Sequence, residues 1–422
     1  MYCLIAILFD GYDMNVFGVV VPVLMKDLSL NPTQIGLLAS WGLAGMVIGA
    51  IIFGTFADKI GRKKTIILGI VTYCVFTASV GLAKDMTTIA TLRFMAGLGL
   101  AGVMPNLVAL VTEFSPRTHR GTLAALLFLG IPLGNITAAG LGMLLLEKYG
   151  WPLMFFVAAL PLLLVPFYYR YLPESMVFLI KQGKNEEIRG ILSRANPDYT
   201  LLPDDTFEID RQEKGKGSIS NLFKDGYRSN TILFWIANFM SLFMLFAIGT
   251  WLPKLMTTQG YPLGSSLWFL LTFNLGALLG IPLGGRGADK FGYKFVLGFL
   301  FTLAAVLISM ISIKSTIIIL SILIFFAGAS VFGIQAVLNS YVAQSYPLNF
   351  RSTGAGWALG IGRLGAVLGP TIGGLMLSFH LSITLNFIAF AIPGIFGALA
   401  IMLTRDKVSS LPRESQDVLS AH

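Results

Sequence analysis

The sequence is poor in charge, in histidine and in cysteine. Asp, Glu, Lys and Arg make up 12% of its 422 residues, about half the roughly 25% of a soluble domain, which excludes a solvated globular surface and a disordered chain. The three histidines, His119, His380 and His422, stand far apart. None pairs with another at zinc-ligand spacing and no phosphate-binding P-loop is present, so a metal- or nucleotide-dependent enzyme has no visible machinery. Cys3 and Cys74 both lie inside apolar runs, where a thiol reads as a small packing residue rather than half of a disulfide. What remains is apolar: 55% of residues are hydrophobic, with a mean hydropathy of +0.77. The chain is built for a lipid bilayer.

A helix needs about 20 apolar residues to cross the hydrocarbon core. At that length the chain divides into twelve expected spans, at 2–25, 34–56, 65–83, 87–113, 120–146, 152–171, 230–253, 265–285, 295–313, 315–344, 352–378 and 381–403. Lys and Arg collect on the cytoplasmic side of membrane proteins. Twenty-two of the 30 basic residues fall in the even-numbered connections and the tail, against Lys26, Lys84, Lys148, Lys254 and Lys314 on the other side. Both termini are therefore expected in the cytoplasm, with the protein in a bacterial inner membrane. The net charge of +9 belongs to these loops, and no nucleic-acid partner is implied. The first run carries Asp10 and Asp13 and no small-residue cleavage site follows it, so it reads as a span and not a removed signal peptide. It opens at Met1 without a basic leader, a start that reads as a truncation or a misplaced initiation codon.

An offset of 231 residues brings one half of the chain onto the other without a gap. Pro22 falls on Pro253, Gly45 and Gly49 on Gly276 and Gly280, Asp58 on Asp289, Gly61 on Gly292, Gly97 on Gly328, Arg120 on Arg351 and Gly134 on Gly365. Between the halves, residues 172–228 hold nine basic and ten acidic residues, the composition of a solvated connector. The expected architecture is all-α and polytopic: a six-helix bundle at 1–171, a charged linker at 172–229, a second six-helix bundle at 230–404 and a tail at 405–422. Duplicated halves of this kind build secondary transporters, with the substrate site near the midplane between them.

Gly54 to Lys64, read as GTFADKIGRKK, resembles the signature between the second and third helices of the major facilitator superfamily. Arg93-Phe-Met-Ala-Gly97-Leu-Gly99 is similar to its fourth-helix motif, and Gly365 to Gly374 to its Gly-Pro motif, here in the eleventh span. Asp10-Gly11-Tyr12-Asp13 resembles the D-G-x-D signature of the aromatic acid:proton symporters, carriers of benzoate, 4-hydroxybenzoate, vanillate and muconate. Arg93, Glu113, Arg351 and Arg363 are residue types that this family places at corresponding points. One departure is Tyr293, where the second-half loop is expected to carry a basic residue or His. The resemblance implies the twelve-helix major facilitator fold, a small organic anion and protons as partners, no cofactor beyond the proton gradient, and a working monomer.

Charges inside the spans mark the expected site, because each costs ~2.5–3.5 kcal/mol at the bilayer centre. Asp10 and Asp13 share one helical face and, as neighbouring carboxylates in a poorly hydrated place, are expected to hold a transported proton. Asp13 and Arg363 sit at comparable depths, ~20 and ~22 Å from the outer ends of their helices at 1.5 Å per residue. Guanidinium is a planar, bidentate donor suited to a carboxylate, so Arg363 is the first choice for the anion and Arg93 the second. Tyr12, Phe239, Asn274, Gln335, Asn339 and Trp357 are candidate walls and polar contacts. Gly54, Asp58, Gly61, Arg62 and Lys63, with Asp289 as their repeat, are expected to form an interdomain latch, joined by Glu113, Arg120 and Arg351 in a cytoplasmic gating layer. A proton-coupled antiporter exporting drugs is the alternative, as is a symporter of another small carboxylate. Gly130-Ile-Pro-Leu-Gly134-Asn135 does not match the fifth-helix Gly-Pro motif of efflux carriers, which favours import. Leu172-Pro173-Glu174-Ser175 is shared with sugar porters, but the seventh span lacks their Gln-Gln pair.

Overall fold

A computed structural model describes residues 2–116, 123, 126–195, 207, 219–224, 226–347, 350–379 and 381–405. Within them run twelve helices long and apolar enough to cross a membrane: α1 (Cys3–Asp27), α2 (Pro32–Ile60), α3 (Arg62–Val80), α4 (Met86–Phe114), α5 (Leu126–Tyr149), α6 (Trp151–Tyr171), α7 (Tyr227–Thr258), α8 (Leu263–Phe291), α9 (Tyr293–Met310), α10 (Ile317–Ser345), α11 (Arg351–Ser378) and α12 (Ile383–Met402). Caps set several starts. Asn31 and Gln34 form a reciprocal capping box at α2, and Asp85 accepts from the backbone and hydroxyl of Thr88 at α4.

Three departures from the sequence expectation have local causes. The second span was expected to end at 56, but α2 stays helical through Asp58, Lys59 and Ile60. The turn before α3 is the single residue Gly61, at φ +93°, and Gly292 repeats it between α8 and α9 at φ +86°. Only glycine adopts such angles without strain. The fourth span breaks at Ala101–Val103 and resumes at Met104, where Pro105 has no N–H to continue the ladder. The sixth is broken by a 3₁₀ turn at Leu160–Leu164, which contains Pro161 and is followed by Pro166.

The duplication is visible in the packing, because glycines related by 231 residues approach related backbones. A Cβ on Gly97 would strike the carbonyl of Gly42, and one on Gly328 that of Phe273; Gly45 faces the Phe94 carbonyl and Gly276 that of Phe325. Gly134 meets Leu8 and Gly365 meets Phe239 in the same way. Small residues let helices close to backbone contact where lipid supplies no hydrophobic drive. In this way α1 packs on α5 and α2 on α4, while α7 packs on α11 and α8 on α10.

The halves meet through α2 with α11, α5 with α8 and α1 with α7. Ser40 Oγ lies 2.5 Å from the Val367 carbonyl and 2.6 Å from Thr371 Oγ1, Gly374 abuts Pro32, and Gly18 abuts Gly249. Gly142 lies against Leu267. These contacts fall in the part of the bundle away from the linker. Toward the linker end Asn339 and Ser340 of α10 and Gly356 and Gly360 of α11 are exposed, as in a cleft between the halves open at that end.

Gly97→Val and Gly328→Val each force backbone displacement, an overpacking cost of about 1–3 kcal/mol or more. Each is expected to lower the melting temperature in detergent by roughly 5 °C or more, whereas Gly264→Val, whose Cβ meets nothing within 4 Å, leaves it nearly unchanged. Fluorescence-detected thermal unfolding of the three variants checks the order.

Candidate functional site

At the heart of the first half, α1 turns Asp10 and Asp13 inward, where they are 2% and 4% exposed. Asp13 is firmly held. Its Oδ1 accepts from Thr77 Oγ1 on α3 at 2.6 Å, and its Oδ2 lies 3.6 Å from Nη1 of Arg93 on α4. The Arg93 guanidinium also sits 5.1 Å from the centroid of Phe17, one turn along α1, a cation–π contact. Gly42 on α2 makes room for it, since a Cβ there would lie 3.1 Å from Nη2. Arg93 Nε and Nη1 nonetheless have no hydrogen-bond partner. This is a buried ion pair with donors to spare.

Asp10 is less well served. Its Oδ1 is buried without a hydrogen-bond partner, and the charges it feels are Asp13 on its own helix and Arg363 on α11 of the other half. Arg363 is partly exposed. The two arginines thus approach the two aspartates from opposite halves, Arg93 within the first and Arg363 across the interface.

The other candidates distribute unevenly. Asn274 on α8 accepts from Asn135 Nδ2 on α5 at 2.8 Å, and Asn135 in turn accepts at its carbonyl from Asn15 Nδ2 at 3.1 Å. This asparagine chain joins the halves. Asn15 and Asn135 were not singled out from the sequence, although a buried amide in an apolar helix carries the same desolvation signal as Asn274. Gln335 Oε1 accepts from Ser241 at 3.0 Å, and its Nε2 donates to Asn339 Oδ1 at 3.3 Å. Trp357 stacks on Trp235 with centroids 5.9 Å apart, and half-buried Phe239 stacks on Phe243. Tyr12 is a correction: it is wholly buried and its hydroxyl donates to the Met154 carbonyl at 2.7 Å, so it faces α6 and the core of its own half rather than the cleft.

The charged layer near the linker is also arranged differently from the expected latch. Asp58 and Asp289 lie on the last turns of α2 and α8 and are exposed. Gly61 swings the chain between Asp58 and Arg62, and Arg62 pairs with Glu113 at the foot of α4. Glu113 also accepts from Ser175 Oγ at 3.2 Å. Glu174 Oε1 accepts from the Lys63 amide at 3.1 Å, and its carboxylate fills the space beside Gly61. Lys63 Nζ lies 5.3 Å from the Tyr169 ring centroid. These interactions stay within the first bundle and the start of the linker. Glu174 was known in the sequence only as part of a shared tetrapeptide, and its role as a cap for α3 depends on the fold. Arg351 Nε donates to the Tyr346 carbonyl at 3.4 Å, and Gly54 has open space where a Cβ would lie. Tyr293 stacks on Tyr341 and its hydroxyl accepts from Gln344, so an aromatic contact with α10 takes the place of the expected basic residue. Arg120 lies outside the described residues.

Among the described residues no group of three or more His, Cys, Asp or Glu side chains is arranged to hold a metal. The site consists of two buried carboxylates, two guanidinium groups and a set of amides lining a cleft between two bundles.

Comparison with known proteins establishes the family. A family model described as Major Facilitator Superfamily matches residues 3–273 and 234–420. The chain is 40% identical over 408 residues to the benzoate transport protein of Acinetobacter baylyi, covering 95% of this chain and 88% of that one. It is 31% identical to the gentisate transporter of Corynebacterium glutamicum, covering 94% and 84%. In fold it resembles the crystal structure of a bacterial homologue of the human lysosomal transporter Spinster, with a TM-score of 0.75 at 16% identity and 95% of each chain covered. The chain belongs to the Major Facilitator Superfamily, and it is a multi-pass membrane transporter.

Proposed function

We propose that this transporter imports an aromatic carboxylate together with protons, across a bacterial inner membrane and by alternating access. The observation that carries the reading is the set of two buried aspartates on α1 facing one arginine from each half, Arg93 beside Asp13 and Arg363 within range of Asp10. The named activities of the relatives, benzoate and gentisate transport, supply the substrate class. The Lys and Arg residues of the linker and the even-numbered loops favour a cytoplasmic linker end and cytoplasmic termini. On that orientation the cleft described above is the inward-open state, closed on the outside by Ser40, Thr371 and the α5–α8 contact.

The cycle then follows from electrostatics. In the outward-open state an incoming carboxylate docks on Arg363, whose planar fork offers two parallel donors. A proton taken by Asp10 removes the charge that otherwise engages Arg363 from across the interface, leaving that guanidinium to the substrate. With the added charges cancelled, the halves rock about the glycine-lined contacts and the site opens to the cytoplasm. One proton per monoanion makes the step electroneutral, and each further proton adds ~2.3 kcal/mol per 100 mV of membrane potential. No bound cofactor is required, and a single chain holds every group named. In the gating layer, Arg62 paired with Glu113 is available to re-pair with Asp58 as the linker end closes.

Cells expressing the chain are expected to accumulate at least one of radiolabelled benzoate, 4-hydroxybenzoate, vanillate and muconate, and a protonophore is expected to abolish the accumulation. Uptake that survives the protonophore contradicts proton coupling, and absence of uptake with the protein present in the membrane contradicts the substrate class and makes export the next test. Arg363→Lys keeps the charge but loses the bidentate fork, and is expected to reduce uptake by about tenfold to a hundredfold, on the scale of one or two charge-assisted hydrogen bonds. Glu113→Gln unties Arg62 and is expected to slow transport while leaving equilibrium binding of the substrate within about twofold; equal losses in both contradict a gating role.

A further inference from the structure

The second half contains a polar group that the transport cycle above leaves unused. Asn238 on α7 is 1% exposed, and its Nδ2 donates to the Phe234 carbonyl at 3.0 Å. That bond fixes the orientation of the amide, because only the NH₂ can donate to a carbonyl. The other end, Oδ1, is buried and has no hydrogen-bond partner. A buried acceptor left unsatisfied is destabilising.

Asn238 lines a cleft of about 250 Å³ between α7, α10 and α11, whose other walls include Val342, Ala355, Gly356, Ala358 and Leu359. Apart from Asn238 and from Asn339 at its edge, these walls are apolar. Gly356 is not required by helix packing, since a Cβ there meets nothing within 4 Å. The cleft adjoins the anion site: Asn238 packs directly against Gly362, the residue before Arg363, and Leu359 is one helical turn, about 6 Å, along α11 from Arg363. An apolar slot with a few polar residues in its lining is the pattern of a small-molecule site.

We infer that this cleft seats the ring of the substrate and that Asn238 Oδ1 accepts a hydrogen bond from a ring hydroxyl, so that the transporter prefers hydroxylated aromatic acids to unsubstituted benzoate. The inference rests on the reading of the chain as an aromatic-acid carrier with the carboxylate on Arg363. An acceptor committed to a substrate hydroxyl discriminates strongly, because the analogue without it leaves the acceptor unpaired and the hydroxylated ligand satisfies it. An amide oxygen cannot donate, so the ligand group must carry a hydrogen.

The test pairs binding with transport. Dissociation constants of benzoate, 3-hydroxybenzoate and 4-hydroxybenzoate are measured by calorimetry on the purified full chain in detergent, beside accumulation in cells, for the wild type, Asn238→Leu and Gly356→Leu. The wild type is expected to bind at least one hydroxylated acid about tenfold more tightly than benzoate, the scale of one satisfied hydrogen bond. Asn238→Leu is expected to abolish that ratio. Gly356→Leu, which adds a side chain to the cleft lining at a position where a Cβ meets nothing within 4 Å, is expected to weaken binding of all the ring acids. Equal affinity of the wild type for benzoate and both hydroxylated acids, a ratio unchanged in Asn238→Leu, or unweakened binding in Gly356→Leu each overturns the inference. Loss of proton-driven accumulation with the binding ratio intact overturns the import reading and leaves the hydroxyl site standing.

Discussion

An ionised side chain in the interior of a membrane bundle has to find its partners within the protein, and the first half is organised by that requirement. Asp13 is met on one oxygen by Thr77 and on the other by Arg93, while Arg93 is met by Asp13 and the face of Phe17 and is admitted by the missing side chain at Gly42. Four helices contribute to this one ion pair. Removing either partner from such a pair leaves an uncompensated charge, which is far more costly than replacing the pair as a whole. Asp10, three residues away, has no comparable enclosure. Its buried Oδ1 is unpaired and its opposite charge, Arg363, belongs to the other half. On the proposed reading this inequality divides the work: Asp13 is a fixed counter-ion and Asp10 is the carboxylate whose charge changes during the cycle.

The same residues explain why the movement stays rigid within each half. Glycines at equivalent positions bring α2 onto α4 and α8 onto α10 at backbone distance, so each half is a close-packed unit with little room to shear. Contacts between the halves are of a different kind. They add polar clasps to the glycine approaches, with Ser40 and Thr371 on one side and Asn135 and Asn274 on the other. The two clasps are not copies: at the 231-residue offset Ser40 corresponds to Leu271 and Thr371 to Gly140, an apolar contact. Duplication supplied the scaffold, and later divergence placed polar groups on only one member of each related pair.

Much of this was legible in the sequence because it depends on periodicity and composition. Twelve apolar runs, the repeat of Gly, Asp, Pro and Arg at one offset, and the charged linker identified the fold. Asp10, Asp13, Arg93 and Arg363 stood out because charge inside an apolar run is rare. The sequence did not reveal the rotation of each helix about its axis, and that decides which partner a side chain meets. Tyr12 lies one residue before Asp13 yet faces α6, and Arg62 pairs with Glu113 rather than with Asp58 four positions away. Glu174, Asn15 and Asn238 acquire roles only when distant segments are folded against them. The break at Ala101–Val103 was signalled by Pro105, but an apolar run hides it in any count of hydrophobic length.

On the proposed reading, a cleft open toward the linker, the charge of Arg363 felt by Asp10 across the interface and closure by short polar clasps together make a carrier in which substrate and proton compete for, and then share, one electrostatic centre. The most direct test is to separate exchange from accumulation in proteoliposomes. Asp10→Asn, a permanent mimic of the protonated carboxyl, is expected to retain counterflow exchange of labelled aromatic acid while losing accumulation driven by an imposed pH gradient, whereas Asp13→Asn, which strands Arg93, is expected to lose both. Accumulation by Asp10→Asn at the wild-type level contradicts the account.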